Sequence, residues 1–134
     1  MGIRGLSSIF PTPNIRKTAD YYVSKLGFRA VEYLDCTEPH ICLYREGCEI
    51  ILLQANRDSV IPNRTLYGYG FDTYIYTDEQ EALEKEFSER GVKFAKPITV
   101  TDYGNKEFVV EDIDGRWIAF GLKVDFAMGR KETK

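Results

Sequence analysis

His40 is the single imidazole of this chain, and Cys36, Cys42 and Cys48 are its three thiols, set six residues apart. That spacing lacks the close pairs of a structural zinc site, and an odd number of cysteines leaves no complete disulfide framework. A cysteine nucleophile needs a positioned base. His40 follows Pro39 at the start of a strand pattern, where a solvated or hydrogen-bonded ring is the expected role, and the cysteines read as small buried strand residues. Glu49, Glu107 and Glu111 alternate with apolar residues and read as solvated strand positions. A carboxylate turned into a closed pocket would instead serve as a general base. The densest chemical feature is aromatic: rings make up 13% of the chain, and Tyr67-Gly-Tyr-Gly-Phe-Asp-Thr-Tyr-Ile-Tyr76 holds many of them. Rings offer stacking area with little side-chain entropy to lose.

The chain behind these residues has 134 positions, 43% hydrophobic and 29% charged, which suits one globular domain over residues 1–134. A net charge of −3 and a pI near 5.3 give no electrostatic footprint for nucleic acid. The one basic cluster, Arg130, Lys131 and Lys134, sits in a polar tail. No apolar run approaches the roughly 18 residues of a membrane span, and the N-terminus lacks the residue order of a signal peptide. A cytoplasmic protein with no membrane partner is the expectation.

Strands are expected at 5–11, 28–33, 41–45, 48–53, 71–76, 92–95, 108–111 and 117–123, from period-two patterns broken by turn residues. A helix opens at Asn14, carries apolar Ile15, Ala19, Tyr22, Val23 and Leu26, and stops at Gly27. A second opens at Thr77 or Asp78, with Ala82, Leu83 and Phe87 on its core side, and stops at Gly91. The two halves share their spacing: Asn14 to Gly27 and Asp78 to Gly91 are both 13 positions, and Gly47 to Ile51 and Gly115 to Ala119 are both 4. The chain is therefore read as α+β, with two strand-helix-three-strand (βαβββ) modules at about 5–55 and 67–124, a linker at 56–66 and a tail at 125–134. Such modules pair into an incurved mixed sheet with helices on the outer face and a cavity inside the curve.

This duplicated unit resembles the vicinal-oxygen-chelate superfamily, which includes glyoxalase I, extradiol dioxygenases, fosfomycin-resistance enzymes and bleomycin-resistance proteins. The likeness runs from Leu6 to about Val124. It rests on the helix ending in Leu26-Gly27-Phe28, the loop Tyr103-Gly-Asn-Lys-Glu-Phe108 and the turn Asp112-Ile-Asp-Gly115. Ile113 and Arg116 stand where the family usually has proline and asparagine. The resemblance implies a divalent metal on the first and last strand of each module. Counting seven back from Asn14 and from Asp78 gives Ser7 and Phe71; counting four on from Gly47 and Gly115 gives Ile51 and Ala119. Three of the four have no donor atom in the side chain and neutral Ser7 is a poor ligand, with Asp72 and Gln54 the nearest replacements. No metal and no other cofactor is expected.

Period-two alternation sets Ile9 beside Ser7, Leu53 beside Ile51 and Trp117 beside Ala119. A two-residue loop at Glu46-Gly47 puts Cys42 opposite Ile51, Tyr44 opposite Glu49 and His40 opposite Leu53. The candidate ligand-binding set is Ser7, Ile9, Cys42, Tyr44, Ile51, Phe71, Tyr103, Trp117 and Ala119, with no catalytic residue. Tyr74 and Tyr76 are expected against a helix. The resemblance to bleomycin-resistance proteins implies an antibiotic-resistance type of role: a homodimer that sequesters an aromatic or amphipathic organic molecule at the subunit interface, as in relatives that often exchange the first-strand arm between chains. The acidic net charge favours a cationic guest. The alternative is an enzyme of glyoxalase, thiol-transferase or lyase type. The tail residues Phe126 and Met128 would serve a third role, contact with a protein partner.

Overall fold

Asn14 begins the first helix because its side chain takes the Lys17 amide at 3.1 Å, satisfying a donor the helix cannot. In the structure, a computed structural model describing residues 2–124, this helix is α1 (Ile15–Leu26). Gly27 ends it at φ 74°, a left-handed conformation that costs glycine nothing. Ile15, Thr18, Ala19, Tyr22 and Leu26 form one buried stripe at helical spacing. Val23, expected on the core side, is turned out to solvent because the stripe passes through Tyr22 instead. The tail residues Phe126 and Met128 lie outside the described residues.

The first module contains β1 (Ser8–Thr12), β2 (Arg29–Tyr33), β3 (His40–Arg45) and β4 (Cys48–Gln54), in the order β1-β4-β3-β2. The expected hairpin register holds: His40, Cys42 and Tyr44 lie opposite Leu53, Ile51 and Glu49. Glu46 adopts φ 50° in the two-residue loop, as a tight hairpin turn demands. The linker, expected to be irregular, carries a short helix, α2 (Asn63–Tyr67). The second module follows with β5 (Thr73–Tyr76), α3 (Gln80–Glu89), β6 (Lys93–Val100), β7 (Asn105–Glu111) and β8 (Trp117–Lys123), in the sheet order β5-β8-β7-β6. In each sheet the module's first strand runs parallel to its last, and the other pairings are antiparallel.

The fold is thus α+β with two four-stranded mixed sheets that are not closed into one. No backbone ladder joins β1 to β5, and they touch through Ser8 Oγ and Thr73 Oγ1 at 2.8 Å. Both sheets turn one face to a single apolar core. Phe10, Ile41 and Leu52 from the first sheet meet Phe108, Ile118 and Phe120 from the second, with Tyr22, Leu26 and Phe87 from the helices.

The register makes the repeat explicit. Ile9 pairs Ile51 as Tyr74 pairs Ala119, so first-strand and helix positions are offset by 65 and last-strand positions by 68. Under this correspondence, each module's closing hairpin grips the other module's helix. Arg45 donates two hydrogen bonds to Glu86 at 2.9 Å and one to the Leu26 carbonyl at 2.8 Å. At the related end Tyr22 donates to Asp112 Oδ2 at 2.6 Å, and Arg116 donates to Asp112 and Asp114, both at 3.0 Å. Thr12 and Thr18 donate to Asp114 at 2.8 and 2.6 Å. Arg116 is only 2% exposed, lies 4.6 Å over the Phe10 ring and donates to the Pro11 carbonyl.

Removing one partner of a buried ion pair leaves the other charge uncompensated. Arg116→Met is expected to lower unfolding free energy by about 3–5 kcal/mol in urea titration. The Arg45 guanidinium holds Glu86 below the usual carboxylate range. A depressed acid stabilises the fold above its unfolded pKa of about 4.3 and stops doing so as pH falls through the lowered folded value. Thermal unfolding of wild type should lose stability on that acid side, with a shallower loss in Arg45→Met.

Candidate functional site

The sheet faces turned away from the core collect the candidate residues. On the first sheet Ile9, Ile51 and Cys42 align across three strands, with Ser7, Glu49 and Tyr44 beside them. Ser7 donates to Glu49, and with Tyr44 holds that carboxylate below its usual range. Burial is uneven: Ile9 is 56% exposed, and Cys42 is covered. Tyr33 stacks on His40 at 5.0 Å, while His40 Nδ1 donates to the Glu38 carbonyl at 2.8 Å. The imidazole is thereby tied to its own loop.

On the second sheet Trp117 and Ala119 share the open face, and Arg64 of α2 lies 4.3 Å above the indole. Here one expectation is corrected. Tyr74 pairs with Ala119 and Tyr76 with Gly121, so both tyrosines belong to this face, while Ile75 packs on the core. The error comes from the helix start. The Thr77 hydroxyl takes the Glu79 amide at 2.9 Å, forming a turn that delays α3 to Gln80. Seven back from the actual cap, Glu79, is Asp72 and not Phe71, which lies in the preceding loop with its ring 6.0 Å from Tyr74. Ala82, assigned to the core side of that helix, is exposed, and Gln80 is buried instead.

Glu107 is the second correction. Expected in solvent, it is 3% exposed. Tyr74 Oη and Tyr103 Oη each donate to it at 2.8 Å, and Asn105 Nδ2 donates to Tyr74 Oη at 2.8 Å. Burial first, then the adjoining carboxylate, raises both phenols, Tyr103 to about 12. At neutral pH they are donors, not bases. Asn105 Oδ1 is a buried acceptor without a hydrogen-bond partner among the described residues. Sequence reasoning reached Tyr103 and missed Tyr74, Asn105 and Glu107. The available signal was Gly121, opposite Glu107 in the ladder, where any side chain would strike the glutamate.

The positions that hold metal in catalytic relatives do not fit one here. Ile51 and Ala119 carry no donor, and Ser7 is committed to Glu49. Asp72 accepts the amides of Asn63 at 3.0 Å and Trp117 at 2.9 Å, one with each oxygen. Gln54 accepts the Ile15 amide at 3.2 Å and donates to the Pro13 carbonyl at 2.6 Å. Among the described residues no three His, Cys, Asp or Glu side chains converge to hold an ion.

These features meet a family description. The family model of the Glyoxalase/Bleomycin resistance protein/Dioxygenase superfamily matches residues 7–120. The chain belongs to this superfamily. Among solved structures, a superfamily member from Alicyclobacillus acidocaldarius is 18% identical, with 95% of this chain and 96% of that one covered at a TM-score of 0.72. TnmS3, described as an antibiotic binding protein from Streptomyces sp. CB03234, is 18% identical, with 92% and 99% covered at 0.69. A superfamily member from Sphaerobacter thermophilus DSM 20745 is 22% identical, with 89% and 96% covered at 0.67. At these identities the likeness is one of fold. No curated protein matches the chain in sequence.

Within one chain a cavity of about 600 Å³ opens at the seam between the start of β4, β5 and α3; Glu49, Tyr74 and Tyr76 line it, and none of the nine candidate residues does. Ile9 at 56% and Tyr76 at 75% exposure show how open these faces are within one chain. A Cβ at Gly121 would lie 2.5 Å from Glu107 Cβ and 2.6 Å from both the Lys106 carbonyl oxygen and Tyr74 Oη. Gly121→Ala is expected to cost about 1–3 kcal/mol in urea unfolding, because the backbone oxygen has no room to retreat.

Proposed function

We propose that this chain binds an aromatic or amphipathic organic molecule against the open sheet faces and holds it without chemical change. The observation that carries the reading is the surface around Glu107. Phe71, Tyr74 and Tyr76 form a run of ring contacts at 6.0 and 5.4 Å beside a buried carboxylate and an unpartnered amide oxygen. Rings supply stacking area, and a ligand N–H or O–H reaching Asn105 Oδ1 would relieve a buried acceptor that costs about 1–3 kcal/mol when left alone. Positions that would carry metal chemistry hold apolar or already committed side chains, which supports binding over glyoxalase-type or thiol-transferase chemistry. The description of TnmS3 as antibiotic binding agrees with this.

An open surface holds a small molecule poorly until something covers it. A second copy of the chain suits that role. Ile9 and Tyr76 are 56% and 75% exposed, and Ile3 and Leu6, ahead of β1, stand almost fully in solvent. They supply apolar area on the face and an arm able to reach a neighbour.

The test uses ethidium, a planar aromatic cation, in titration calorimetry alongside sedimentation velocity. Wild type is expected to sediment as a dimer and to return ethidium unaltered. Ile9→Arg should shift the protein to monomer and weaken ethidium by about tenfold or more. Tyr74→Phe, which removes one donor to Glu107, should weaken ethidium while keeping the dimer. A monomeric wild type, or a molecule co-purified from the cell and turned over into a new product, would sink the reading.

A further inference from the structure

The two closing hairpins are related by the repeat, and their surroundings differ in one respect that creates a site. Gly47 corresponds to Gly115, so Glu46 corresponds to Asp114 and Cys48 to Arg116. Thr77 likewise corresponds to Thr12, Leu83 to Thr18 and Tyr76 to Pro11. In the second hairpin the Arg116 side chain fills the space between the turn, α1 and β1 with its guanidinium. In the first hairpin that position holds the short side chain of Cys48. The cavity of about 600 Å³ stands there, lined by Glu46, Cys48, Tyr76, Thr77 and Leu83, the counterparts of the residues around Arg116.

We infer that this seam cavity is a second ligand site, which takes a small molecule with a guanidinium or ammonium head on an apolar body, the head standing where Arg116 stands in the other half. Its volume is that of a ligand pocket. Leu26, Phe28, Ile75 and Phe120 give apolar walls, and the charged lining is five carboxylates, Glu46, Glu49, Asp78, Glu79 and Glu86, against the single guanidinium of Arg45; Glu86 is paired with Arg45 and Arg90 and Glu49 is held by Ser7. That guanidinium is committed, with two hydrogen bonds to Glu86 and one to the Leu26 carbonyl. The Tyr76 carbonyl and Thr77 hydroxyl stand in the places of the Pro11 carbonyl and Thr12 hydroxyl, which serve the Arg116 cluster as acceptor and donor. The site lies at the seam beside α3 and shares Glu49, Tyr74 and Tyr76 with the edge of the open sheet faces, while Ile9, Ile51, Trp117 and Ala119 lie outside it.

Cys48 makes the inference measurable, because it is a half-buried thiol in the cavity wall, whereas Cys36 is exposed and Cys42 is covered. In a Cys36→Ser protein, its modification is followed with two methanethiosulfonate reagents of similar size. The cationic trimethylammonium-ethyl reagent should react about tenfold faster than the anionic sulfonatoethyl one, as expected for charge focused in a cleft. The probe ligands are 4-phenylbutylamine and 4-phenylbutyrate, which share a body and differ in the sign of the head. The amine should slow modification of Cys48 and give calorimetric heat, and the carboxylate should do neither. Cys48→Arg, which supplies the cation from the chain, should abolish amine binding and raise the melting temperature. Ala82→Trp, on the exposed face of α3 at the cavity wall, should abolish binding with no change in fold by circular dichroism. Ile9→Arg, on the open face, should leave it intact. Equal protection by amine and carboxylate, no protection by the amine, or loss of amine binding in Ile9→Arg would each overturn the inference.

Discussion

The buried guanidinium of Arg116 is the constraint around which this molecule is arranged. It joins Asp112 and Asp114 of its own turn to the Pro11 carbonyl, while Thr12, Thr18 and Tyr22 bring the first module onto the same carboxylates. A charge taken from water must be matched on all sides, and here the match draws its partners from both halves of the chain. The loop residue at 116 therefore sets how two sheets with no shared backbone ladder sit against one core. The Arg45–Glu86 pair repeats the idea with the carboxylate on the other module's helix and with more access to solvent.

The same arrangement separates two kinds of surface. At even positions of β1 and β4 and of β7 and β8, Phe10, Ile50, Leu52, Phe108, Val110, Ile118 and Phe120 turn into the shared core. Those at odd positions form the open faces, where aromatic and carboxylate groups are set by ladder register alone. Glu107 shows how register makes a polar group tolerable: the strand presents it, Gly121 opposite leaves it room, and two tyrosines from other segments supply its donors.

What could be read beforehand follows from how local each determinant is. Asn14, Gly27 and the Glu46-Gly47 turn act within a few residues, so α1 and the register of β3 on β4 were legible. The second helix was misplaced by one residue because the Thr77 hydroxyl, a side chain free to point several ways, chose the Glu79 amide. That single step moved the opening-strand position from Asp72 to Phe71 and put Tyr74 on the wrong face, since a strand changes face with every residue. The burial of Glu107 was illegible in a different way. It depends on Tyr74, 33 positions away, and no local pattern carries that contact. The helix at Asn63–Tyr67 was hidden in a polar linker whose composition reads as turn.

Joining the halves by side chains alone also bears on how the molecule assembles and opens. Among the described residues every backbone ladder lies within residues 8–54 or within residues 73–123, so neither sheet needs the other to complete its hydrogen bonds. Contacts between the halves are polar grips around one shared apolar core. Either half alone would leave the core face of its sheet uncovered. Parting the modules would bare Phe10, Ile41, Phe108 and Phe120 to water, and this ties the persistence of each sheet to the presence of the other.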